Sequence, residues 1–207
     1  MPERVGVLGG AFDPIHWGHV GAAIECAYQL RLDRVLLVPG GDPPWKQPAV
    51  NQEDRYRMVQ LAAAEHPSLE ASRLELDSPG PHYTVDTLRR IRAQLGDATL
   101  YLIVGDDAAA RMQEWRELDT VLALATLVVV ERAGWVAPPS DPVTAPAAER
   151  RYDEWARSGP GAGLRVSWPG VAVSSSEIRR RVREGAPIEY LVPRSVADYL
   201  KGNLLYV

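Results

Sequence analysis

One cysteine, one phenylalanine and four histidines stand among 207 residues. The lone thiol, Cys26, excludes an internal disulfide and any metal site built from several cysteines. It lies in an apolar-periodic stretch, where packing is its expected role. No apolar run reaches the roughly 18 residues of a membrane span, and no signal-peptide pattern precedes the first strand. A cytoplasmic chain without membrane association is therefore expected. The net charge of −4 gives no electrostatic footing for nonspecific binding of nucleic acid. What is present is ordinary globular material: 46% apolar residues are enough to build a core without disulfide or metal staples. The length predicts a single domain over residues 1–207; monomer and homo-oligomer both stay open.

Strand and helix signals alternate along the chain. Val5–Leu8, Val35–Val38, Thr99–Val104, Thr126–Val130 and Leu164–Trp168 read as strands, and Leu69–Leu76 as a short one. Residues 17–30 carry Val20, Ala23, Ile24, Ala27 and Leu30 on one helical face. Residues 52–65 place Met58, Leu61 and Ala62 inward and are stopped at His66-Pro67. Residues 84–95 place Val85, Leu88, Ile91 and Leu95 inward, with Arg89, Arg90 and Arg92 outside and Gly96 as the cap. Shorter helices are expected at 107–113 and 117–124, and two more at about 176–184 and 193–201. The alternation predicts a Rossmann-like α/β fold: a doubly wound parallel sheet with helices on both faces and a small C-terminal helical part from about 176. Residues 133–163, rich in Pro and Gly, read as a surface excursion with a helix around 149–157.

Ligands of such sheets bind beyond the carboxyl ends of the strands. Four loops leave strands at that edge, and the first is the most informative. It reads Gly9-Gly10-Ala11-Phe12-Asp13-Pro14-Ile15-His16-Trp17-Gly18-His19. Two glycines at a strand exit allow close approach to a ligand. The helix that follows turns its unpaired N–H groups and positive dipole end to the same place. His16 and His19, three residues apart, would share one face there. A phosphate chain fits this combination, with the imidazoles holding oxygens whose charge grows in a transition state. Asp13, before Pro14, reads as a turn residue rather than an acid catalyst. The loop is neither a dinucleotide G-x-G-x-x-G nor a Walker loop, which disfavours dehydrogenases and P-loop kinases.

The second cluster is Ser174-Ser175-Ser176-Glu177-Ile178-Arg179. One serine is accounted for as a helix cap. The remaining hydroxyls, with Arg179 one turn in, make a second anion site; Arg180, Arg181 and Arg183 read as a solvated face. Lys46 follows the rigid Pro43-Pro44-Trp45. Trp115, flanked by Glu114, Arg116 and Glu117, reads as a partly exposed stacking surface near Gly105-Asp106-Asp107. Tyr83-Thr84 opens a helix whose first backbone N–H groups are open to an anion.

These blocks resemble the nucleotidyltransferase superfamily with the H-x-G-H signature, here His16-Trp17-Gly18-His19, and within it the bacterial nicotinate-nucleotide adenylyltransferase family. The similarity runs from about residue 4 to 200 and is weakest over 133–163. The Tyr83-Thr84-Val85-Asp86-Thr87-Leu88 block and Trp115 point to this branch. The resemblance implies transfer of the adenylyl group of ATP to nicotinate mononucleotide, with magnesium accompanying ATP and no dedicated protein metal site. It implies that His16, His19, Lys46 and Arg179 serve the reaction. Gly9, Gly10, Ala11, Phe12, Gly105, Asp107, Ser174 and Ser175 would line the ATP site together with His16, His19 and Arg179. Lys46, Thr84, Trp115 and Arg116 would receive the mononucleotide, Trp115 by stacking and the backbone of Thr84 and Arg116 by reading the ring carboxylate. Three departures from the family pattern stand out: Ala11 where Thr is frequent, Trp45 where His is frequent, and Arg132-Ala133-Gly134 without the usual proline. Nicotinamide mononucleotide, pantetheine phosphate, a cytidylyl donor, or a non-catalytic nucleotide sensor stay open as alternatives.

Overall fold

The computed structural model describes residues 1–41, 47–132, 163–168 and 170–207. Six strands form one sheet: β1 (Arg4–Gly10), β2 (Arg34–Pro39), β3 (Leu69–Ala71), β4 (Thr99–Gly105), β5 (Thr126–Arg132) and β6 (Leu164–Trp168). Their order is β3-β2-β1-β4-β5-β6, and every neighbouring pair is parallel. The helices are α1 (Trp17–Gln29), α2 (Gln52–Ala63), α3 (Thr84–Leu95), α4 (Asp106–Ala109), α5 (Leu118–Leu124), α6 (Ser175–Arg183) and α7 (Arg194–Gly202). None among the described residues is long and apolar enough to cross a membrane.

The central strands are apolar at nearly every position because both sheet faces are covered, and alternate residues feed opposite cores. On one face Leu8, Val35, Leu37, Ile103 and Val128 pack against Val20 and Cys26 of α1, Met58 of α2, Ile178 of α6 and Val196 of α7. On the other, Val5, Val7, Leu36, Leu102 and Val104 pack against Leu88 and Ile91 of α3 and Val121 of α5. Burial pushes the Cys26 thiol pKa up to about 12, which fits the packing role expected of it. β1 pairs with β2 on one side and β4 on the other, so the winding reverses there. A crevice at that reversal is where ligands enter such sheets.

The structure departs from the sequence expectations in four places. β3 ends at Ala71, not Leu76: beyond Ser72 the chain turns, and the Ser78 hydroxyl donates to the carbonyls of Leu74 and Glu75. The helix expected over 107–113 splits into α4 and a 3₁₀ turn at Met112–Glu114. Arg90 and Arg92, expected outside, are half-buried: Arg90 donates to the Ser78 hydroxyl, and Arg92 to the carbonyls of Ala98 and Leu124. In α2 the inward stripe is Arg55, Met58, Val59 and Ala62, with Leu61 only half-buried. The remaining helices and strands start and stop within two residues of their expected limits, and Gly96 caps α3 with φ +59°. The helix expected around 149–157 lies outside the described residues.

Candidate active site

The loop from Ala11 to His16 joins β1 to α1, and it is buried from Phe12 onward. A buried loop must find partners for its backbone. Here three carbonyls are taken by side chains from remote helices. Arg55 Nη1 donates to Ala11 O at 2.9 Å, Arg179 Nη1 to Asp13 O at 2.6 Å, and Ser175 Oγ to Pro14 O at 2.9 Å. The Asp13 carboxylate accepts from the Ala49 backbone N–H at 2.8 Å and from the Tyr206 hydroxyl at 2.7 Å, and lies 3.5 Å from Arg179 Nη1. Asp13 is thus the hub of a buried network, in keeping with its reading as a turn residue rather than an acid catalyst.

What this network presents is the histidine pair. His16 is the N-cap of α1 and its ring makes no cap bond. Its carbonyl accepts from the His19 and Val20 backbone N–H groups. The rings of His16 and His19 stack at 3.7 Å with 22° between planes, and Phe12 meets His19 edge-on at 5.0 Å. Gly18 makes the stack sterically feasible: a Cβ there would lie 2.9 Å from the His16 ring. Phe12 holds φ at +48°, in the left-handed region that side chains seldom enter. Among the described residues, its two chain neighbours aside, no atom lies within 4 Å of where a Gly9 Cβ would stand, so their packing does not demand that glycine. Close approach of a ligand to the backbone is a use the open space permits.

A pocket opens beside the pair, lined by Leu8, Gly18, His19, Ala22, Gly105 and Trp168, among others. It sits at the carboxyl ends of β1, β4 and β6. Gly105 closes β4, and a Cβ there would press on the Asp107 carboxylate at 2.8 Å. Asp107 itself is exposed at the start of α4. The N-terminus of α6 meets the loop before the histidine pair through Ser175 and Arg179, which bond to Pro14 and Asp13. Ser174 is spent on capping that helix, its hydroxyl accepting from the Glu177 N–H at 3.2 Å. Only Nη1 of Arg179 is engaged by Asp13; a guanidinium also carries Nε and Nη2 donors. Arg180 and Arg181 pair with Glu177, as a solvated face should.

A second cluster gathers around the start of α3. Tyr83 is its N-cap and makes no side-chain cap bond. The Arg116 guanidinium lies over the Tyr83 ring, 4.8 Å from its centroid. Trp115, half-buried, ends the 3₁₀ turn and packs with Tyr83 against the α3–α5 face of the core. Glu117, at φ +52°, is bound by Arg89 at 2.6 Å. Thr84, Trp115 and Arg116 therefore share one neighbourhood. Lys46 and Trp45 lie outside the described residues, as does the side chain of Arg132.

Three residues of the site escaped the sequence reading: Arg55, Tyr206 and Trp168. Arg55 left a readable signal, an arginine in step with Met58, Val59 and Ala62 on a buried stripe. Burial lowers its pKa, and the nearby Asp13 carboxylate opposes that. Trp168 packs over Gly21, where a Cβ would come within 2.2 Å of the indole. Tyr206 carried no signal, because its partner lies 193 residues away.

Comparison with known proteins agrees with this geometry. Residues 7–181 match the cytidylyltransferase-like family model. A protein of Thermus thermophilus named "Probable nicotinate-nucleotide adenylyltransferase" is 42% identical over 98% of this chain and 99% of its own length. One from Corynebacterium kroppenstedtii is 40% identical over 99% of this chain and 91% of its own. Among solved structures, the Plasmodium falciparum nicotinic acid mononucleotide adenylyltransferase complexed with NaAD superposes with a TM-score of 0.76 over 99% of this chain and 97% of that one, at 17% identity, which establishes the shared fold. With the histidine signature stacked at the switch point of a parallel sheet and this identity over nearly the whole length, the chain belongs to the cytidylyltransferase-like family and, within it, to the nicotinate-nucleotide adenylyltransferases.

Proposed function

We propose that the chain, working as one unit over residues 1–207 in the cytoplasm, transfers the adenylyl group of ATP to nicotinate mononucleotide, yielding deamido-NAD and pyrophosphate for NAD biosynthesis. The observation that carries the reading is the meeting of two distant segments. Residues 13–19 and 174–179 bond to one another, and so bring a histidine pair, a guanidinium and two helix N-termini to one crevice. That is a site for a polyphosphate.

In this reading the mononucleotide phosphate oxygen bonds to the α-phosphorus of ATP in line. The bond from that phosphorus to the oxygen bridging to the β-phosphate breaks, and pyrophosphate departs. No covalent enzyme intermediate forms. The work is positioning and charge stabilisation. His16 and His19 hold the phosphate oxygens, and Gly9, Gly10, Ala11 and Phe12 let the chain of phosphates lie along the loop. Gly105 and Asp107 flank the ATP nucleoside. Ser175 and Arg179, with Ser174 as the cap of their helix, receive the departing pyrophosphate. Lys46 neutralises charge on the reacting phosphates.

Among the described residues no group of three His, Cys, Asp or Glu is disposed to hold a metal. In this reading a magnesium ion would accompany ATP, carried by its phosphate oxygens and water with few protein ligands. When bound, the ion neutralises negative charge on the phosphate oxygens.

The ring end favours an acid over an amide. The N-terminus of α3 at Thr84 and the guanidinium of Arg116 both place positive potential beside Trp115. Two carboxylates of this cluster are ion-paired: Asp86 with Arg89, and Glu117 with Arg89 at 2.6 Å and more distantly with Arg116 at 3.7 Å. The test supplies ATP, magnesium and either nicotinate or nicotinamide mononucleotide, and follows pyrophosphate release. Strong preference for the acid supports the proposal. Equal rates would make the enzyme dual-specific, and no release with either would leave a nucleotide sensor.

A further inference from the structure

The loop that presents His16 and His19 is pinned by four side chains, and two of them, Arg55 and Tyr206, are given no part in the chemistry. Tyr206 follows α7, and its hydroxyl donates to Asp13 Oδ1 at 2.7 Å. Asp13 is 1% exposed, so this bond cannot be exchanged for one to water without opening the loop. The Tyr206 ring packs on the face of the core that holds α1, α2, α6 and α7. Its backbone sits at φ +67°, and Leu204 at φ +50°, both in the left-handed region. A tyrosine persists there only where its surroundings over-determine it. The surroundings are legible. α7 is tied to α2 by Tyr199 Oη, which donates to Asp54 at 2.8 Å, and to the turn just past α2 by Ser195 Oγ, which donates to Glu65 at 2.6 Å. The same α2 supplies Arg55 to the Ala11 carbonyl. The α2–α7 pair thus delivers two clamps to one loop, one to its backbone and one to its acidic hub.

We propose that Tyr206 is a positioning residue of the adenylyl transfer: through Asp13 it fixes the 11–16 loop and so the attitude of the histidine pair toward the transferring phosphate. The proposal rests on the function assigned above. Without the hydroxyl, Asp13 Oδ1 loses a bond in a site closed to water, and the loop shifts to regain one. A misplacement of about 1 Å is worth up to a hundredfold in rate when reacting groups depend on orientation. The residues proposed to bind the ring stand elsewhere, Thr84 at the start of α3 and Trp115 and Arg116 after the 3₁₀ turn, and are not moved.

The experiment is Tyr206→Phe in the full chain, assayed for pyrophosphate release at 25 °C alongside circular dichroism. The expected result is a folded protein with kcat about tenfold lower and an unchanged KM for the mononucleotide. In a His19→Ala background the same substitution should cost nothing further, because a residue acting through the pair has no effect once the pair is broken. A kcat within twofold of the parent, an equal loss in the His19→Ala background, or a variant unfolded at 25 °C would each overturn the proposal. If the parent chain itself releases no pyrophosphate, the functional assignment fails separately. Amide hydrogen exchange over residues 11–20 then decides this one: faster exchange in Tyr206→Phe supports the clamp, and unchanged exchange removes it.

Discussion

The two parts of the candidate site, the one proposed for the phosphates and the one proposed for the pyridine ring, are built differently. At the phosphate end, the 11–16 loop is buried and held by Arg55, Ser175, Arg179 and Tyr206, all more than 40 residues away in the chain. At the ring end, Arg116 and Glu117 are exposed, Trp115 is half-buried, and the ties are surface ion pairs such as Arg89 with Glu117. Surface pairs of that kind contribute about 0–1 kcal/mol. The contrast matches the work asked of each end. Phosphoryl chemistry rewards donors fixed before the substrate arrives, since they then need no reorganisation as charge develops. Stacking an aromatic ring is tolerant of small displacements, and an adaptable loop serves it.

That contrast predicts different failures for substitutions at the two ends. The largest is His19→Ala, which should lower kcat by more than about 100-fold, the scale of losing a preorganised donor; near-normal turnover would refute the role given to the pair. Next is Arg55→Met. It leaves the carbonyls of Ala11 and Gly41 without this donor and removes one of the cations near the Asp13 carboxylate, Arg179 remaining at 3.5 Å. Chemical denaturation should show a loss of about 2 kcal/mol, and a variant as stable as the parent would mean the loop is held by its other partners alone. The smallest is Trp115→Ala, at the exposed end. Its apparent KM for the mononucleotide should rise about tenfold, equivalent to about 1.4 kcal/mol, with little change in kcat or melting temperature. A fall in kcat instead would erase the distinction between the two ends.

The sequence made the fold and the first motif legible because both are local. The apolar runs of β1, β4 and β5 and the stripes of α1 and α3 are periodic within a dozen residues, and the glycines and histidines of 9–19 lie within a single turn. Even the steric role of Gly18 beside His16 is a contact between near neighbours. Ser174 as a cap belongs to the same class, since its bond spans three residues. Arg55 was in view but unread: a charge in an apolar stripe announces a buried partner without saying which.

What the chain by itself determined is the alternation of strand and helix and the residue types gathered at one edge of the sheet; the strand order, with its reversal at β1, is a property of the folded sheet. Only the tertiary structure decided that Asp13 is the hub of the site, that Arg179 serves the loop backbone before any anion, and that Tyr206 reaches the loop at all. The physical reason is separation. A hydrogen bond across 193 residues leaves no periodicity behind it, and a buried carbonyl reveals its need for a donor only once folding has removed the water.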